Sequence, residues 1–384
     1  MDLTIYVHDF HPQIGHSRAM IEILNGLSVE QKTQINSLEI VAFTCTDLDK
    51  LFPSFECAKS FTRIPCPNLK PFLLKMFFYH IATLIHSCTK GAHRKKIGIG
   101  IACLNIDIVN IQFIHEQWAE HFFKGRNFSL LSKSYKKILF AYFHLCEKYI
   151  YSNWKKTQYI LIANFLKKYL SEKFKTSEAH MTLIPSGVNT EEFQFVDMSK
   201  DQLAQKLFQT YPELQKLDPT QPIALFVGAL ERKGLPRVLK ALTNIPNAQL
   251  IVVGKSEFKN FVMPRLPFKI AHVPFTKEVS LFYQLADLFI FPTQYEPFGL
   301  VIIEAYVMGM DLIIPIEDVG ASEIIPAGAG IHYFHQKEEI NLINIKPVSL
   351  EEKKLRRVER LKNISPYTWE KSGQKFYSLL SNLK

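Results

Sequence analysis

The sequence has little glycine, 16 residues in 384, and no C-x-x-C pair among its six cysteines. It also has no uninterrupted apolar run of about 18 residues, the length a spanning helix needs. The nearest approach, Pro71 to Ser87, is broken by Lys75 and His80. Little glycine without a period excludes a collagen-like repeat. A chain 47% hydrophobic and 21% charged is neither disordered nor low-complexity. Cys45, Cys57, Cys66, Cys88, Cys103 and Cys146 show no zinc-site spacing and read as reduced thiols of a cytosolic protein. The opening MDLTIYVHDF lacks a basic segment followed by an apolar one, so no secretory leader is expected. What remains is a globular chain long enough for two domains.

The positive charge is local. The formal total is 46 − 36 = +10, and residues 51–150 hold 14 Lys+Arg against 5 Asp+Glu. Residues 301–350 reverse this, with 2 basic and 7 acidic residues. The densest groups are Lys90, Arg94, Lys95, Lys96 and then Lys124, Arg126, Lys133, Lys136, Lys137. They adjoin FLLKMFFYHIATLIH and ILFAYFHL. The Phe and Leu residues of those stretches read as core, whereas the basic clusters suit an anionic partner, a membrane surface first. No nucleic-acid motif accompanies the charge, so no nucleic-acid partner is expected.

Short apolar runs alternate with amphipathic stretches. LTIYV (3–7), LEIVAFT (38–44), DIVNIQFI (107–114), YILIA (159–163) and MTLIP (181–185) read as strands with helices between them. The pattern restarts with PIALFVGAL (222–230), QLIVVG (249–254), KIAHVPF (269–275), LFIFP (288–292) and LIIPI (312–316). This predicts an α/β architecture of two Rossmann-like, doubly wound domains, 1–204 and 205–366, facing a cleft. The segment 367–384 reads as a terminal helix.

One segment concentrates chemistry. In YEPFGLVIIEAY (295–306), Glu296 precedes a turn, Gly299 opens an apolar helix and Glu304 follows about a turn later. Backbone N–H groups at such a helix start suit phosphate oxygens, and two carboxylates accept hydrogen bonds from sugar hydroxyls. From spacing alone, the alternative is a surface acid and a capping acid with no ligand. The D-x-D of Asp47, Leu48 and Asp49 reads as a polar turn.

The run E-P-F-G-L-x-x-x-E-A resembles the paired-glutamate motif of retaining glycosyltransferase family 4, whose GT-B fold joins two Rossmann-like domains. FVGALERKGLPRVLKAL, LIVVG, IPSGVNTEEF and the closing YTWEKSGQKF extend the likeness. Within that family the chain looks most like the lipopolysaccharide core glucosyltransferases. The resemblance implies a retaining transfer from a nucleotide-diphospho sugar, a UDP-sugar first, to a glycan or lipid-linked acceptor, with no metal or other cofactor. Arg232 and Lys233 match the diphosphate clamp, although the commoner pattern places an Arg soon after the first Gly, where Ala229 follows Gly228 here. Glu296 and His115 match residues at the transferring sugar, with Glu116 as neighbour. Phe298, Gly299 and Leu300 match the phosphate-facing helix start, and Glu304 the ribose partner. Val273 and Phe275 match the loop that holds the base through backbone groups, whereas Lys255, after LIVVG, reads either as close to the nucleotide or as a solvent-exposed lysine. Gly15, beside His16 and Arg18, partly matches a glycine-rich loop that usually has two glycines. The resemblance also implies that 367–384 packs back on the first domain and that the protein acts in the cytoplasm, peripheral at a membrane's inner face. Two alternatives accompany it: a GT-B nucleotide-sugar epimerase, and a non-enzymatic, membrane-associated nucleotide-sugar-binding protein.

Overall fold

The computed structural model describes residues 1–65, 71–123, 128–152, 157–256, 264–342 and 344–383. Cys66, Lys124 and Arg126 lie outside the described residues. The chain forms two compact units, Met1–Gly187 with Tyr367–Lys384, and Val188–Pro366.

The first unit begins with β1 (Asp2–Tyr6), β2 (Asp9–Phe10), α1 (Gly15–Asn25), α2 (Val29–Thr33) and β3 (Ser37–Ala42). Next come β4 (Thr44–Cys45), α3 (Leu48–Leu51), β5 (Ala58–Arg63) and α4 (Phe72–Cys88). Then follow β6 (Lys95–Ile99), β7 (Ile108–Ile111), α5 (His115–Phe122) and α6 (Leu130–Ser152). β8 (Gln158–Leu161), α7 (Asn164–Phe174) and β9 (Met181–Leu183) close this stretch. Seven strands make one parallel sheet ordered β5-β3-β1-β6-β7-β8-β9. The apolar runs of the sequence supply β1, β3, β7 and β8 in its interior and β9 at one edge. β5 and β6 escape a pattern search: β5 is a largely exposed edge, and β6 opens with two lysines.

The first basic cluster belongs to this architecture, which corrects its reading as a partner surface. Arg94 donates to Thr4 Oγ1 at 2.7 Å and Leu3 O at 2.6 Å, and its Nε lies 3.6 Å from the Glu39 carboxylate. Glu39 also accepts from Thr4 and Thr62 and faces His86. Lys96 is buried, 3.8 Å from Asp107. Of this cluster only Lys90 is exposed without such a partner among the described residues.

The second unit holds α8 (Lys200–Thr210), β10 (Ala224–Val227), α9 (Leu235–Leu242), β11 (Gln249–Val253), β12 (Lys269–Val273) and α10 (Val279–Leu285). It continues with β13 (Leu288–Ile290), α11 (Leu300–Val307), β14 (Asp311–Pro315), β15 (Ile331–Phe334) and α12 (Leu350–Ile364). Its parallel sheet runs β12-β11-β10-β13-β14-β15. The unit starts at Val188 rather than 205, because the connecting segment is bonded into it. Val196 exchanges two backbone hydrogen bonds with the Gln284 amide, both 2.9 Å, and Lys200 pairs with buried Asp287 at 2.9 Å. Three basic residues of α12 are buried. Lys353 donates to the Tyr283, Gln284 and Ala286 carbonyls, Arg357 to that of Val307, and Arg360 to those of Tyr306 and Met310. They satisfy orphan acceptors at the C-terminal ends of α10 and α11.

The last helix, α13 (Trp369–Asn382), is part of the first unit and packs on α1. Ser372 Oγ donates to Pro185 O at 2.8 Å, and Lys95 Nζ donates to the Leu380 and Leu383 carbonyls at its C-terminal end.

The apolar residues of α4 correct the expectation that they are core. Met76, Tyr79, His80, Thr83, His86 and Ser87 face inward, while Leu74, Phe77, Phe78, Ile81, Leu84 and Ile85 face out. Both sets recur at three- and four-residue spacing, so two faces compete for the interior. The inner face carries the polar groups that find partners, His80 through its Nδ1 alone. Tyr79 Oη donates to Val7 O at 2.7 Å, His80 meets Tyr142 Oη at 2.6 Å, and His86 reaches both Tyr6 Oη and Glu39. Once placed among those partners, α4 carries its other face outward.

Candidate active site

In the second unit the site is built where adjacent parallel strands end. β10 and β13 are hydrogen-bonded neighbours, and the loops leaving their carboxyl ends carry Arg232–Lys233 and Glu296. Such carboxyl edges are where open α/β sheets bind ligands. The two loops meet directly. Lys233 and Glu296 form an ion pair between side chains that are 10% and 14% exposed. The Lys233 ammonium also lies 5.8 Å from the Phe291 ring centre. Arg232 is half-buried beside it, so the adjacent pair divides into one cation held by a carboxylate and one nearer the surface.

Close packing sets these loops. Gly254, at the end of β11, has φ +148, and a Cβ there would lie 1.9 Å from Gly228 O. Only glycine lets the ends of β10 and β11 approach this closely. Glu296 is pinned through its backbone: its N–H donates to Asp318 O at 2.9 Å, and its carbonyl accepts from Gly320 at 3.1 Å. Gly299, the N-cap of α11, has φ +93, and a Cβ there would be 3.1 Å from Glu296 Cγ. Turn and carboxylate therefore share one space. Phe298 is buried below this turn and Leu300 is the first residue of α11.

The other expected residues sit as follows. Glu304 is buried, with its Oε2 accepting from Tyr283 Oη at 3.1 Å. Val273 is a core side chain whose carbonyl accepts from Gly254 N–H at 3.0 Å, while Phe275 is half-exposed beneath Lys255, 5.9 Å from ring centre to ammonium. Asp47 is the N-cap of α3, accepting from Asp49 N–H at 3.0 Å.

In the first unit His115 is the first residue of α5, which follows β7. Glu147, in the last third of α6 and wholly buried, accepts from the backbone N–H of His115 at 2.5 Å and of Glu116 at 3.0 Å. The same carboxylate lies 3.0 Å from His115 Nδ1. One acid thus caps α5 and orients the imidazole, favouring the proton on Nδ1 and a lone pair on Nε2. Sequence reasoning missed Glu147, although it is the only acid within residues 130–152. Glu116 is turned to His144 and Lys173, at 3.2 and 3.0 Å. His8, His16 and His80 surround the same region. Burial, then the neighbouring imidazoles of His80, His16 and His115, holds His8 well below the ordinary imidazole range, and burial lowers His16 and His80 to about 4. All three are neutral at pH 7. Gly15 begins α1 and is exposed, with open space where a Cβ would stand. Among the described residues no His, Cys, Asp and Glu group is arranged to hold a metal ion.

Residues 208–357 match the model of the glycosyl transferases group 1 family. An uncharacterized glycosyltransferase of Methanocaldococcus jannaschii is 25% identical over 42% of this chain and 43% of its own length. Alpha-monoglucosyldiacylglycerol synthase of Acholeplasma laidlawii is 25% identical over 44% of each chain. The matched stretch thus spans less than half the length of these relatives. Among solved structures, WaaG, a glycosyltransferase involved in lipopolysaccharide biosynthesis, aligns over 100% of this chain and 96% of its own, with a TM-score of 0.64 and 17% identity. Anabaena Alr3699/HepE in complex with UDP and glucose aligns over the whole of both chains, with a TM-score of 0.61 and 14% identity. The two parallel sheets and these alignments establish the GT-B fold, and within it the second unit carries the glycosyl transferases group 1 segment.

Proposed function

We propose that the chain is a retaining glycosyltransferase that moves a sugar from a UDP-sugar to a membrane-associated glycan or lipid acceptor and needs no metal. The observation that carries this reading is the Lys233–Glu296 ion pair at the carboxyl ends of two adjacent strands, inside the group 1 segment. A nucleotide diphosphate gains negative charge as its bond to the sugar breaks. Fixed cations at Arg232 and Lys233 stabilise that charge more in the transition state than in the bound donor. The N–H groups opening α11 at Leu300 add donors of the same sign. Glu296, fixed at both its N–H and its carbonyl, presents a carboxylate to sugar hydroxyls. Glu304 takes the ribose, and the loop of Val273 and Phe275 takes the base.

The acceptor oxygen forms its bond to the anomeric carbon on the face from which the diphosphate leaves. The acceptor's proton passes to a diphosphate oxygen, so no strong protein base is called for. His115, with Nδ1 tied to Glu147, offers Nε2 to a hydroxyl, and Gly15 leaves room for close approach of a ligand. The UDP choice is supported by the complex of Alr3699/HepE, and the acceptor class by the lipopolysaccharide biosynthesis in which WaaG is involved and the monoglucosyldiacylglycerol in the name of the Acholeplasma synthase. The acceptor class favours the inner face of a cytoplasmic membrane as the place of action. Among the described residues no helix is long and apolar enough to cross a membrane.

A donor screen tests the reading. Purified protein is given UDP-, GDP-, ADP- and TDP-sugars, and released nucleotide diphosphate is measured. Release from the UDP-sugar alone, lost in Glu296→Ala and Arg232→Ala, is expected. Release that survives both substitutions, or neither release nor nucleotide binding, overturns the site.

A further inference from the structure

α4 and α6 form a single side of the first unit. Leu73 N–H donates to Tyr135 Oη and His80 contacts Tyr142 Oη, each pair 62 residues apart, so the helices run side by side in one direction. Among the described residues, twelve of the eighteen exposed large apolar side chains lie on these two helices. On α4, Phe77 and Phe78 are 47% and 50% exposed and Ile85 59%. On α6, Leu131 is 84% and Leu145 64% exposed, with Leu130, Ile138 and Tyr149 beside them. α4 is inside out: its histidines, Thr83 and Ser87 point inward and its Phe, Ile and Leu residues point out. A face this apolar on a water-soluble surface marks an interaction site.

Charge decides the occupant. Every exposed charge on the two helices is positive: Lys133, Lys137 and Lys148, with Lys75 and Lys136 half-buried. The only acid in either helix is Glu147, wholly buried under His115. A second copy packed symmetrically on this face would set lysines against lysines. An anionic bilayer accepts both features: apolar side chains enter the acyl boundary while lysines stay at the headgroups.

We infer that the outer face of α4 and α6 is a membrane-docking surface that lies in the plane of an anionic bilayer. The inference deepens the membrane-side acceptor reading, but vesicle binding is measured without sugar transfer. Cosedimentation of the full chain with mixed phosphatidylcholine–phosphatidylglycerol vesicles, and with phosphatidylcholine alone, tests it. Wild type should bind the mixed vesicles and lose binding as salt rises. Lys133→Ser/Lys137→Ser/Lys148→Ser should weaken that binding by on the order of a hundredfold, about fivefold per lysine, with little change on phosphatidylcholine. Phe77→Ser/Phe78→Ser/Ile81→Ser should weaken binding to both vesicles by at least about tenfold. UDP binding and thermal unfolding of the same samples report folding. The lysine variant, altered only at exposed positions, decides the matter if the apolar variant does not fold. Wild type that ignores anionic vesicles at low salt while binding UDP overturns the docking surface alone. So do variants that sediment as wild type does, or an oligomer dissolved by the apolar variant without vesicle binding. Vesicle binding without UDP binding instead overturns the donor site alone.

Discussion

Removing one member of the Lys233–Glu296 pair should cost far more stability than removing both. Lys233→Met leaves a carboxylate that is 14% exposed without its ion-pair partner, and Glu296→Gln leaves an ammonium that is 10% exposed. Breaking a buried pair from one side costs about 3–5 kcal/mol, and the residual solvent at both groups places the figure near about 3. At about 2–4 °C per kcal/mol for a unit of this size, each single variant should lower the thermal midpoint by roughly 6–12 °C. The double variant should return to within about 1 kcal/mol of wild type, because no uncompensated charge is left. Ligand binding separates the two roles. Lys233→Met should lower UDP affinity about ten- to hundredfold through loss of a charged hydrogen bond. Glu296→Gln should keep or tighten UDP binding, since a nearby negative charge is gone, yet lose sugar transfer. Thermal unfolding and titration calorimetry on the three variants and wild type complete the cycle. Single effects that simply add in the double variant would falsify the claim that these charges sustain each other.

Glu147→Gln keeps the size of the side chain but points an amide N–H at the α5 N-terminus; it should cost about 2 kcal/mol in thermal unfolding and lower turnover with His115 free to rotate. Gly15→Ala meets open space at a helix start, so stability should hold or rise by about 0.5 kcal/mol, while KM rises for a ligand that approaches this backbone; equal kinetics would remove Gly15 from the site. His80 is lowered by burial to about 4 against 6.5 when unfolded, so its contribution to stability is complete above pH 6.5 and lost as pH falls toward 4. Acidifying from pH 7 to 5 should cost about 2 kcal/mol at this residue, and His80→Gln should flatten that slope in thermal unfolding. Addition of EDTA should leave nucleotide release unchanged, and a rate restored only by a divalent cation refutes the metal-free reading.

Strand runs such as LTIYV in the first unit and IALFVG in the second determined the two sheets, because buried parallel strands are continuous apolar segments whatever surrounds them. The Glu296–Gly299 turn and the Arg232–Lys233 loop were equally legible, since each keeps its residue types contiguous in sequence, whereas the Asp318 and Gly320 contacts that pin Glu296 were not. Edge strand β5, with its exposed alternation, and the Asp287 contacts that draw residues 188–204 into the second unit were not. Glu147 stands 32 residues from the imidazole it orients, and only the crossing of α6 over the start of α5 joins them. The faces of α4 show the same limit. Both are spaced for a helix and both are rich in large apolar groups, so periodicity alone does not select the inner one. That choice rests on partners scattered along the chain, Val7, Glu39 and Tyr142, which satisfy Tyr79, His86 and His80. A buried polar group without a partner costs more than an exposed phenylalanine, and tertiary structure therefore turned the phenylalanines outward.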